Sequence, residues 1–367
     1  MRKTVSMIWT FSLLMAFPVR GGETSPNAAE LPEDPAYHMR LAVRKAGVIL
    51  DGPAEDAQAE GTDFLKGHDM DAAGNIYWSE SNSPVIRSYR ATTGRVITLA
   101  GSVRGRRDGP LESARFGGWW YNATNLLCVS DDGKHLFVID RGAGNLWRYV
   151  DLEAGVVRTI GPLNDKESKT TLCIVKDRRG GIYALTGQGK QAPPCKGYQS
   201  ISVTLPSTFP WYAVDRWALD ASAGKLYYHT RNAPHAVDLQ TGEDENLTPP
   251  GDNPRKPDLS GPFVGMTWHC PTGMSISPGG RYLFVGGGDS SSFYRLDLEE
   301  RHIFFFVKKP DGTYGYEDGF ERDEKCRLSM WPAAGVFNTL GNGAWASSKH
   351  DNTDGGIWLI TLIDGQK

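Results

Sequence analysis

Asp71-Ala-Ala-Gly74-Asn75-Ile76-Tyr77-Trp78 leads into Ile86-Arg87-Ser88-Tyr89, then Gly94-Arg95-Val96-Ile97-Thr98-Leu99-Ala100-Gly101, and closes on Asp108-Gly109-Pro110 and Ala114-Arg115-Phe116. Each piece is a short run of β-formers bounded by a turn: Asp-x-x-Gly first, Thr-Thr-Gly later. Four such strands in a row make one antiparallel meander, too small to stand alone. The unit must therefore recur.

It does. The turn and the strand after it return at Ser130-Asp-Asp-Gly133-Lys-His-Leu-Phe-Val138 and Asp177-Arg-Arg-Gly180-Gly-Ile-Tyr-Ala184. Further copies are Asp220-Ala-Ser-Ala-Gly224-Lys-Leu-Tyr-Tyr228, Ser277-Pro-Gly-Gly280-Arg-Tyr-Leu-Phe-Val285 and Asn352-Thr-Asp-Gly355-Gly-Ile-Trp-Leu359. Copies spaced by roughly 45 to 75 residues match propeller blades, whose radial repetition leaves few open sheet edges. The sequence therefore predicts an all-β chain, a six-bladed β-propeller. Because the chain stops soon after the sixth copy, the alternating run Tyr37-His-Met-Arg-Leu-Ala-Val-Arg-Lys-Ala46 is expected to close the last blade as an N-terminal strand.

The chain resembles the NHL-repeat propellers, on Ile86-Arg87, Leu99-Ala100-Gly101, Pro271-Thr-Gly273-Met-Ser-Ile-Ser277 and the connector pattern. That pattern is Ala46-Gly47, Asp51-Gly52-Pro53 and Phe64, repeated as Ala100-Gly101, Asp108-Gly109-Pro110 and Phe116. The likeness runs from about residue 37 to the end. It carries fold and little function, since propellers host many activities.

The remaining organisation is simple. With 40% hydrophobic and 23% charged residues, a net charge of -3 and 43 glycines, the composition is globular and turn-rich. It lacks the basic excess of a nucleic-acid binder. Arg2-Lys3 followed by the apolar run Met7–Phe17 reads as a signal peptide over 1–21, and 22–36 as a linker. The propeller is expected over 37–367, and the mature protein is expected to be secreted or periplasmic. No second apolar run is long enough to span a membrane. Residues 301–340 read as an insertion beyond the blade pattern. Five cysteines allow two disulfides or none, with Cys128 and Cys173 in equivalent strands of successive repeats. Nothing in the sequence fixes an oligomeric state.

In a propeller, the loops that lead into the inner strands and those that leave the second strands share one mouth of the central channel, the expected site. The gluconolactonase and senescence-marker-protein family, which this chain distantly resembles, holds a divalent cation there through Glu, Asn and Asp. The matching positions here are Lys66, Thr272 and Gly287, with Asp289 nearby. An ammonium replaces a carboxylate, so no metal ligand and no cofactor is assigned, and a divalent cation is left open.

Two other sets of residues point to the mouth. His68, His229 and His269, with Arg231 and Lys66, form a conceivable acid–base constellation of the kind used by uronate-cleaving lyases. His68 equally suits a hydrogen-bonded core histidine. Trp119, Trp120 and Tyr121 precede the inner strand of blade two, and Trp211 and Tyr212 that of blade four; flat aromatic faces bind sugar rings. The sequence thus favours a propeller that binds a carbohydrate or protein ligand at its mouth. A carbohydrate-active lyase or hydrolase, or a metal-dependent lactonase, is the alternative. Arg104-Gly-Arg106-Arg107 reads as a solvated basic loop, and Glu80 and Asp140 as structural parts of the repeat.

Overall fold

The computed structural model describes residues 36–45, 49–59, 68–80, 83–117, 127–140, 142, 144, 146–162, 164–165, 170–187, 191–204, 217–230, 233–251, 261–264, 271–287, 292–307, 319–320, 332–337, 343–347 and 356–363. All regular structure among them is β-strand, in a propeller arrangement. The innermost strands are His68–Met70, Leu127–Val129, Thr170–Lys176, Trp217–Asp220, Pro271–Ile276 and Pro332–Phe337. Each touches the next in chain order, and the last touches the first.

The Asp-x-x-Gly signature works as a turn between first and second strands. Asp71 Oδ1 accepts from the Asn75 amide at 2.9 Å, and its Oδ2 from the Asn75 side chain and the Tyr77 hydroxyl at 2.8 and 3.0 Å. The glycine that ends the turn adopts positive φ, +80° at Gly74 and +80° at Gly180, where a side chain is strained. The turns also stack round the ring. A Cβ on Gly180 would lie 2.3 Å from the Asp131 carboxyl carbon, and one on Gly133 2.8 Å from Asp71 Oδ2.

Second strands are buried on both faces, and this is why they read as continuous apolar runs. Along His135–Asp140, Leu136 and Val138 join a core with Tyr77 and Ile86 of blade one, while Phe137 and Ile139 join one with Leu185 and Tyr228 of blades three and four. Alternate residues of one strand thus serve two different cores. Tyr227, beside Tyr228, faces a third core with Leu283 and Val285.

The repeat predicts six antiparallel blades; among the described residues the sheets are antiparallel meanders except in blade three, which departs. In blade three, Thr170–Lys176 and Ile182–Gly187 are antiparallel, but the next strand, Gln199–Val203, runs parallel to Ile182–Gly187. The chain must return to the turn end before pairing. Its return includes Pro193-Pro194, which have no N–H to donate to a ladder. This leg lies against blade two: Tyr198 and Phe137 rings are 5.6 Å apart, and a Cβ on Gly197 would lie 2.7 Å from the Phe137 ring.

Part of the expected insertion over 301–340 lies among the described residues. His302–Val307 is the outer strand of blade five, and Pro332–Phe337 begins the next sheet. Gly319–Phe320 pairs with His38 and Met39, and the strand Ala36–Lys45 runs antiparallel to Gly356–Ile363. Cys128 and Cys195 are free thiols, so Cys128 is not in a disulfide with Cys173.

Candidate functional site

The two ends of the channel are built differently. At the turn end, Lys176 leaves the inner strand of blade three and reaches blades two and one. Its ammonium stands 3.2 Å from Asp69 Oδ1 and 3.2 Å from Asp131 Oδ1, and donates to the Met70 carbonyl at 2.5 Å. Asp69 is anchored in turn: its Oδ2 accepts from the Val129 amide of blade two at 2.8 Å, and its Oδ1 from the Met70 amide at 2.8 Å. Burial pushes the Asp69 carboxyl above its ordinary value, against the pull of Lys176 and of these amides. Against burial, Asp69 and Asp131 hold the Lys176 ammonium protonated, above its ordinary range. The cluster fills the point where three inner strands converge.

Arg178, two residues on, extends the lacing the other way. Its Nε lies 2.7 Å from Asp220 Oδ2, its Nη2 donates to Ser222 Oγ at 2.9 Å, and its Nη1 donates to the Pro278 carbonyl. Burial pushes Asp220 up, but Ser222 and Arg178 outweigh it and hold the carboxyl below its ordinary value. Two cations of blade three therefore tie together the turns of five blades.

At the mouth end, the repeat's own carboxylates turn away from solvent. Glu80 Oε1 accepts from Arg87 Nη1 and from the Trp78 indole, each at 2.9 Å. Arg87 Nη2 continues to the Leu50 carbonyl at 2.7 Å and to Asp51 at 2.8 Å. Blade two repeats the clamp. Arg148 binds Asp140 at 2.8 Å, Asp108 at 2.9 Å, and the carbonyls of Arg115 and Arg107 at 3.0 Å each. Asp51 and Asp108 also take the amides of Thr98 and Thr159, which explains the recurring Asp-Gly-Pro connector. Glu80 and Asp140 are thereby committed to arginines, and among the described residues no group of three His, Cys, Asp or Glu side chains is placed to hold a metal ion.

His68 and His229 are both buried, on blades one and four. His68 pairs in register with Trp78. The Nδ1 of His229 lies 2.8 Å from the Thr230 carbonyl, which can only accept, so Nδ1 carries the proton. The structure does not place these two imidazoles on neighbouring blades. Lys66, Arg231, His269, Trp119, Trp120, Tyr121, Trp211 and Tyr212 lie outside the described residues.

Sequence reasoning missed Lys176 and Arg178, though a signal exists. The residue before the turn is buried Met70, Val129, Leu219 or Ile276 in blades one, two, four and five, and lysine only in blade three among them.

No family model matches the chain, and no curated protein matches it. Among solved structures, it is similar to a structural genomics protein of unknown function from Bacteroides thetaiotaomicron, at 12% identity and TM-score 0.59, covering 90% of this chain and 77% of that one. An auxiliary nutrient binding protein from Bacteroides ovatus is 13% identical with TM-score 0.58, covering 90% of this chain and 78% of that one. A second auxiliary nutrient binding protein, from Bacteroides thetaiotaomicron, is 12% identical with TM-score 0.55, again covering 90% and 78%. At these identities the likeness is one of fold.

Proposed function

We propose that this chain is an exported, NHL-like propeller of six blades, completed by the strand Ala36–Lys45, that binds a carbohydrate or protein ligand at the mouth opposite the turn end. The observation that carries the reading is the Lys176–Asp69–Asp131 cluster, in which Asp69 is buried and its two partners half-buried. It commits charged groups at the turn end of three blades to one another, so a ligand is offered the other end, where the loops leading into the inner strands converge. The aromatics Trp119, Trp120, Tyr121, Trp211 and Tyr212 belong to those loops by sequence and suit a glycan. The auxiliary nutrient binding proteins that share the fold favour the same class of role. The pairing of Ala36–Lys45 with Gly356–Ile363 and the unbroken circuit of inner-strand contacts support a closed ring of six.

A lyase or hydrolase using His68, His229, His269, Arg231 and Lys66 has less support, because His68 and His229 are both buried. The test is a melting-temperature screen of the mature protein with acidic and neutral polysaccharides, with and without chelator. A ligand that binds only the native state raises the melting temperature by mass action. A rise with a polysaccharide, unchanged by chelator, is expected. No response to any polysaccharide overturns glycan binding, and a fall with chelator alone points to a metal centre instead.

A further inference from the structure

The connectors that lead into blades one and two are built on one backbone frame. In blade one, Leu50 and Gln58 exchange both backbone bonds, at 3.1 and 3.0 Å, and their carbonyls hold Arg87. In blade two, Arg107 and Arg115 exchange theirs at 3.2 and 3.0 Å, and their carbonyls hold Arg148. The frame uses only the main chain of each pair, so the side chains are not dictated by the fold. Blade one carries a leucine and a glutamine there. Blade two carries two exposed arginines.

A doubly bonded antiparallel pair sends both side chains to the same face, directly opposite each other. Like charges in that position are unfavourable unless something neutralises them. Neither Arg107 nor Arg115 forms an ion pair with a described residue, and the neighbouring Asp108 carboxylate is spent on Arg148 and on the amide and hydroxyl of Thr159. Gly105 makes room for the Arg115 stem: a Cβ there would lie 3.2 Å from Arg115 Cδ. The connector is also longer, seven positions from Gly101 to Asp108 against four from Gly47 to Asp51. The longer path adds the exposed Arg104 and Arg106 and, beside them, Val103, which is 57% exposed.

We propose that Arg107 and Arg115 form an anion clamp on the outer rim of blade two that binds the carboxylates of an acidic, uronate-bearing polysaccharide. Planar guanidinium forks match carboxylates two bonds at a time. A duplex or a membrane surface would need a broad positive face, and this chain has a net charge of -3. The choice of polysaccharide rests on the glycan-binding function proposed above; the arginine pair flanks Gly109–Pro110, which pairs with the outer strand of blade two and so lies on the outer edge of that blade.

Titration calorimetry of the mature chain with polygalacturonate tests the clamp. Arg107→Ala with Arg115→Ala should weaken binding by about tenfold or more and leave the melting temperature nearly unchanged. Arg95→Ala, an exposed arginine on blade one, should change nothing, and the double lysine variant should recover only part of the affinity. The clamp is overturned if the wild type does not bind polygalacturonate, if the double alanine variant binds it equally well, or if phosphatidylglycerol vesicles outcompete it. A separate Trp119→Ala, Trp120→Ala variant keeps the two sites apart. If it binds polygalacturonate normally while the arginine variant does not, the clamp stands whatever becomes of the mouth.

Discussion

Lys176 and Asp69 belong to different blades with a third between them, and their charged groups meet 3.2 Å apart at the turn end of the channel. A single lysine thus closes contacts that the chain makes only when three blades are in place. Replacing it by methionine leaves Asp69 and Asp131 without their cation in a buried setting. Loss of one partner of such a cluster costs about 3 to 5 kcal/mol. Lys176→Met should lose about that much in urea unfolding. Because burial already raises Asp69, protonation should relieve the variant, so its deficit should shrink as pH falls from 7 towards 5. A deficit that does not change with pH would mean Asp69 is not the group left uncompensated.

The alkaline limb carries the opposite sign. Lys176 is held above its ordinary value of 10.5, and burial pushes Tyr227 from 10.0 up to about 12. Groups whose folded values are raised contribute stability that is complete below their unfolded values and lost as pH rises through the folded ones. Wild-type melting temperature should therefore hold to about pH 10 and fall above it. Lys176→Met should fall less steeply over that range. Parallel curves would remove Lys176 from the effect.

On the acid side, Asp220 is the informative carboxylate. Its folded value lies below 3.8, so its contribution is present above that pH and lost as pH falls through the folded value. Arg178→Met removes a cation that lowers Asp220, and burial then dominates. The acid midpoint of unfolding should move to higher pH, whereas Arg179→Met, whose side chain has no recorded ion pair to Asp220, should leave it in place.

Two glycines separate backbone strain from crowding. Gly155 and Gly180 both have positive φ, +69° and +80°, but a Cβ at Gly155 meets nothing within 4 Å while one at Gly180 lands on Asp131. Gly155→Ala should cost about 1 kcal/mol. Gly180→Ala should cost clearly more, because Asp131 must move and it is one of the two carboxylates holding Lys176. Equal losses would show that the turns do not bear on one another.

Much of this architecture can be read from the repeat. Asp71 to Gly74 specifies a turn locally, through a side-chain cap and a left-handed glycine, so each recurrence announces another blade. The arginine clamps were half visible: Arg87 and Arg148 sit at the same register, and Asp51 and Asp108 open the same connector. What joins them is a fold of the connector along the blade edge, which spacing alone does not express. Blade three escaped because a Pro-Pro return leg looks in sequence like any other loop, although it reverses the strand that follows. Lys176 escaped because its partners lie across the ring, where no local period points. The mouth rests on sequence reading of Trp119, Trp120, Tyr121, Trp211, Tyr212 and His269.

The pairing of Ala36–Lys45 with Gly356–Ile363 has a consequence in time. A chain is made from its N-terminus, so this strand is made long before its neighbour. Until then its N–H and C=O groups must wait, exposed, while the interior blades assemble on local contacts. Such long-range pairing is slow and prone to mispairing. The pairing of these two strands then waits on the blades between them and comes late in folding.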